Sequence, residues 1–105
     1  MAAGLTVAGW LEEHLQGAPP ELRDRTLRFL EAADPGAPLP VRLARAGEAA
    51  LRTAIGRPGD RAVALDLLAA DALVTLALEA QAALDPTRLA QFARELRAAA
   101  SGGVR

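Results

Sequence analysis

From Ala62 to Leu84 the chain reads AVALDLLAADALVTLALEAQAAL, and only Asp66, Asp71, Thr75, Glu79 and Gln81 break an apolar, helix-forming run. A helix that is apolar on most sides has to be surrounded by protein, so this segment belongs at the centre of a bundle or at the heart of a subunit contact. Elsewhere the apolar positions recur at helical spacing between clear proline and glycine breaks, which predicts five helices.

The first helix is expected from about Leu5 to Gln16, with Val7, Trp10, Leu11, His14 and Leu15 at helical spacing and Gly17 as its stop. Pro19 and Pro20 open the second, where a missing N–H is harmless, and Asp34-Pro35-Gly36 ends it. Its predicted inner face is Leu22, Thr26, Phe29, Leu30 and Ala33. The outer face pairs Glu21 with Arg25, Asp24 with Arg28 and Arg28 with Glu31, an arrangement that supports a solvated helix. The third runs from Pro40 to Ile55 with the stripe Leu43, Gly47, Ala50, Leu51 and Ala54 inward. A glycine inside a helix costs about 1 kcal/mol against alanine, so Gly47 predicts the close approach of another backbone. Asp60 is placed to cap the long fourth helix, about 61–84. Asp85-Pro86 ends that helix and starts the fifth, which turns Leu89, Phe92, Ala93, Leu96 and Ala100 inward before Ser101-Gly102-Gly103 releases the chain. The expected architecture is all-α: a compact four-to-five-helix bundle, one domain over residues 1–100, with a flexible tail over 101–105.

At about 100° per residue, the central helix carries two ridges of large apolar side chains. Val63, Leu67, Val74 and Leu78 form one; Leu65, Leu68 and Leu76 form the other. Between them lies a stripe of mostly small residues, Ala62, Ala69, Ala70, Ala77 and Ala80 with Leu73 and Leu84, which invites the Gly47–Ala50–Ala54 stripe of the third helix. The remaining side is a line of Asp71, Thr75 and Glu79. Such a line could hold a metal or share a proton, but no other helix offers further ligands, and it is read as a solvent-facing or salt-bridged seam. Asp66 falls inside the small-residue stripe and needs a partner; Arg42, Arg45 and Arg52 of the third helix are the expected source. The other reading of Asp66 is a buried general acid.

Composition narrows the chemistry. With no cysteine in 105 residues there is no disulfide framework, thiolate metal site or thiol nucleophile. A net charge of −1 argues against a nucleic-acid partner, because that binding rests on a basic surface. All the basic residues are arginine, with asparagine and tyrosine absent, as a GC-rich coding sequence gives, so the arginines alone do not indicate anion recognition. His14 is the only histidine, which leaves no histidine pair within one chain, and it is expected to pack beside Trp10. Ser101 and the threonines have no base near them in sequence. Three carboxylates within residues 62–84, each costing roughly 2.5–3.5 kcal/mol near a bilayer centre, argue against a membrane span, and the first residues lack the basic start of a secretory signal. A cytoplasmic location is expected, with no cofactor.

The segment GRPGDRAVALDLLAADALVTLALEAQA, Gly56 to Ala82, resembles the stretch of all-α polyprenyl diphosphate synthases that follows their first aspartate-rich motif. There a leucine- and alanine-rich helix carries G-D-A-L-L, similar to Ala70-Asp71-Ala72-Leu73-Val74 in this chain. The D-D-x-x-D motifs that hold magnesium and diphosphate in that family are absent, so no catalytic residue carries over. What the resemblance implies is a helix type suited to lining an apolar cavity.

The functional expectation is a small non-enzymatic interaction module that forms a homodimer. Four modest helices with alanine-rich faces have difficulty covering a helix that is apolar on three sides, and uncovered apolar surface of that extent marks association. The alternative is a binder of an apolar small molecule within the bundle. The residues expected at the interface or ligand site are Trp10, Asp66, Leu67, Asp71, Leu73, Val74, Leu76 and Leu78.

Overall fold

A computed structural model describes residues 6–57, 59 and 61–102 of the chain. The described residues form α1 (Val7–His14), α2 (Pro20–Ala32), α3 (Leu39–Ile55), α4 (Arg61–Leu84), a single 3-10 turn (Pro86–Arg88) and α5 (Leu89–Gly102), with no strand among them. The all-α bundle expected from the apolar period is the architecture observed.

Local sequence marks where the helices start. Thr6 Oγ1 accepts from the Gly9 N–H at 3.0 Å, so α1 begins at Val7; the expected start, Leu5, lies outside the described residues. Proline in the first turn opens both α2 and α3. Asp85 caps the 3-10 turn by accepting from the Thr87 N–H at 3.2 Å, and the chain passes from that turn straight into α5. The Asp60 cap falls outside the described residues. Gly59, with φ of 86°, makes the reversal between α3 and α4 in a conformation that side chains resist. At the other end α5 continues through Gly102, two residues into the stretch expected to be tail, because Ser101 and Gly102 still accept helical geometry after the alanine run Ala98–Ala100.

The centre of the molecule is the antiparallel pair α3 and α4. A Cβ built on Gly47 would stand 3.1 Å from Val74 Cγ2, 3.4 Å from Leu73 Cβ and 3.5 Å from the Ala70 carbonyl oxygen, so the two backbones approach as the sequence predicts. Gly47→Leu is therefore expected to lower stability by about 1–3 kcal/mol through overpacking. Gly47→Ala should stay within about 1 kcal/mol of the parent, because its gain in helix propensity offsets a small displacement of the Val74 methyl. Urea unfolding of the two variants separates these outcomes.

The buried side of α4 is the small-residue stripe. Ala69, Ala70, Leu73, Ala77 and Ala80 are buried there, with Asp66 among them and Leu76 at the edge. Leu11, Leu15, Leu30, Leu43, Ala46, Ala50 and Phe92 supply the rest of the core from the other helices. The two large ridges are only partly covered within one chain, Leu76 alone of their members being buried. Leu67 is 46% exposed and Leu68 52%, and Val63, Leu65, Val74 and Leu78 are half-buried. Short side chains let α2 and α3 come close to one side of α4, and helices that close leave its leucine shoulders uncovered. Leu51, expected inward on α3, is 37% exposed.

Candidate functional site

Two features of α4 are candidates for function: a buried charge cluster on its inner side and an apolar groove on its outer shoulder. The charge cluster centres on Asp66, which is 0% exposed. Arg25 of α2 donates from Nη1 to Asp66 Oδ1 at 2.8 Å, and Arg57, after α3, places Nη2 3.7 Å from Oδ2. Arg25 is itself three-quarters buried, whereas the Arg57 side chain is half exposed. Oδ2 is buried and has no hydrogen-bond partner among the described residues. One carboxylate thus ties α2, α4 and the α3–α4 connection together.

The partner of Asp66 differs from the one expected. Gly47 lies opposite Ala70–Val74, so in an antiparallel pair Asp66 lies beside the C-terminal end of α3, and Arg42, near its N-terminus, is several turns away. Arg45 and Arg52 are exposed on the outer face of α3. Arg42 instead lines a separate groove with Leu11, Leu27 and Leu30. Arg25, which the charge pattern of α2 pairs with Glu21 at the surface, turns inward. Its position carries a second signal: Leu22, Arg25, Thr26 and Phe29 share one helical stripe, and Thr26, beside it, is fully buried with its hydroxyl donating to the Leu22 carbonyl at 2.8 Å. A charge inside an apolar stripe on α2 and another inside the stripe of α4 are the two halves of one contact.

The groove lies between α3, α4 and the C-terminal part of α5. Its floor is Ala44, Gly47 and Ala70, its walls are Leu51, Leu67, Val74 and Leu96, and its volume is about 380 Å³. Glu48, Asp71 and Arg97 stand at its rim, and none of the three makes an ion pair among the described residues. Ile55, one turn beyond Leu51 on α3, is exposed and extends the apolar wall. Of the residues singled out from sequence, the groove brings together Leu67, Asp71 and Val74. Leu73 is fully buried behind it, Leu78 is half-buried, and Leu76 faces the core on the opposite side. Leu51, Glu48, Leu96 and Arg97 are additions from the structure, since which side of α5 meets α4 depends on the turn at Pro86–Arg88 rather than on periodicity.

Trp10 belongs elsewhere. Its ring stacks on His14 with centroids 3.9 Å apart, and the His14 Nδ1–H donates to the Trp10 carbonyl at 2.8 Å. His14 Nε2 lies 3.7 Å from Glu79 of α4. The Asp71–Thr75–Glu79 line is exposed along its length. Among the described residues no group of three or more His, Cys, Asp or Glu side chains is arranged to hold a metal ion, and no helix is long and apolar enough to cross a membrane. Comparison with protein-family models, with curated proteins and with solved structures gives no match to this chain.

Proposed function

We propose that this chain is a non-enzymatic interaction module, acting in the cytoplasm, that associates with a second copy of itself through the uncovered shoulder of α4. The observation that carries the reading is the exposure of Leu67 on the most apolar helix, beside exposed Leu51 and Ile55 of α3. Scattered surface leucines need no explanation, but several on adjoining faces of two packed helices form the kind of patch that marks association. The carboxylates of α4 support the non-enzymatic part: Asp66 is held by Arg25 in a role that fixes helices, Asp71 is exposed at the groove rim, and Glu79 is exposed beside His14.

A second reading, an apolar small molecule as ligand, is favoured by the groove's volume of about 380 Å³, which falls in the range of roughly 300–1,000 Å³ usual for such sites. The resemblance of residues 56–82 to a cavity-lining helix supports the same alternative.

The two readings differ in a thermal melt. Association stabilises the folded state by mass action, so the midpoint of a dimer rises with protein concentration. Across a hundredfold dilution the midpoint is expected to fall by several degrees. A midpoint that ignores dilution but rises with an added apolar dye would overturn the dimer reading in favour of the ligand.

A further inference from the structure

We infer that the groove between α3, α4 and α5 is the dimer contact itself, and that it pairs two copies about a twofold axis with Arg97 of each seated against Glu48 and Asp71 of the other. This rests on the homodimer reading above and adds to it the surface, the symmetry and the groups that set the register.

In a twofold interface the same patch meets itself, so whatever one side offers, the other must accept. A patch with charges of one sign would repel its own copy. This groove carries both signs at its rim, Glu48 and Asp71 on α3 and α4 and Arg97 on α5, around an apolar centre of Leu51, Leu67, Val74 and Leu96. An apolar centre within a polar rim is the ordinary anatomy of an interface. The three rim charges lack ion-pair partners among the described residues, so a second copy can engage them without breaking any described ion pair. The short side chains of Ala44, Gly47 and Ala70 leave room for the opposing leucines to enter. Leu68, about 100° around α4 from Leu67, does not line this groove and serves as an internal control.

Charge reversal tests the pairing. Arg97→Glu sets carboxylates against Glu48 and Asp71 in both halves of the contact, and Asp71→Arg sets guanidinium against guanidinium. Each variant alone is expected to weaken self-association roughly 10- to 100-fold, since like charges facing one another across an interface are strongly unfavourable. Mixing the two variants should restore dimers. In a mixed pair the carboxylate introduced by Arg97→Glu meets the guanidinium introduced by Asp71→Arg in one half, and the other half keeps the native Arg97 against the native Asp71. Native mass spectrometry of each variant and of the mixture reads this directly, because the mixed dimer has its own mass, and circular dichroism confirms that the surface changes leave the helices intact. Restoration in the mixture, with Leu68→Glu dimerising as the parent does, is the expected result. A dimeric parent whose Arg97 and Asp71 variants associate unchanged would overturn the groove as the contact while leaving the homodimer. Variants that weaken without rescue in the mixture would overturn the twofold pairing. A parent that is monomeric at all concentrations, with or without a co-purified small molecule, would overturn the homodimer and this inference together.

Discussion

Arg25→Met is expected to lower the free energy of unfolding by about 3 kcal/mol, more than any single change among the exposed arginines. Methionine keeps most of the apolar stem of arginine and removes the guanidinium that holds Asp66 Oδ1 at 2.8 Å. The carboxylate left behind is fully buried, and a buried charge that loses its partner destabilises by about 3–5 kcal/mol. The lower end applies here because Arg57, already 3.7 Å from Oδ2 and half exposed, is free to move inward and compensate in part. Asp66→Asn should cost less than Arg25→Met. It leaves guanidinium groups, not a carboxylate, without a partner, and those reach water at 25% and 53% side-chain exposure. The asymmetry is the informative result. Urea midpoints of the two single variants measure it, and equal losses, or a larger loss for Asp66→Asn, would show that Asp66 is not the dependent member of the pair.

Leu73→Ala is the second large effect, expected at about 3–5 kcal/mol, in the upper part of the range for leucine truncation in cores. Leu73 is fully buried, and its Cβ lies against the position a side chain at Gly47 would occupy. The cost of a cavity depends on how far its walls can collapse, and here much of the wall is alanine and glycine on packed helices, side chains with no length to swing into the void. Leu68→Ala, five residues earlier on the same helix and half exposed, should change stability by less than about 1 kcal/mol. Similar losses at the two positions would mean that Leu68 is as enclosed as the alanine stripe.

That contrast marks where the sequence is legible. Proline, glycine and capping residues define the helix boundaries closely, and Gly47 announces the α3–α4 contact because a helical glycine has a physical cost that only close packing explains. Periodicity also separates the exposed Asp71–Thr75–Glu79 line from the buried alanines. It does not say which apolar side is innermost. Size suggests that the leucine ridges are enclosed, whereas close approach of neighbouring helices is possible only on the small-residue side. The Asp66 contact is legible in half: a carboxylate in an apolar stripe demands a cation, but choosing among arginines requires the register of packed helices. Arg25 is hidden by a plausible surface partner, Glu21, four residues away. The groove is the least legible feature, since it depends on where α5 lies after a single 3-10 turn.

If the structure is complete only as a pair, a second copy covers the Leu67 shoulder of α4. Sedimentation equilibrium of the unmodified chain tests it most directly. The monomer is 10.9 kDa, and at tens of micromolar the expected mass is twice that, falling toward the monomer on dilution and lost at the same concentration in Leu67→Glu. A single species of 10.9 kDa across the whole concentration range, with the cooperative unfolding of an intact domain, would contradict it.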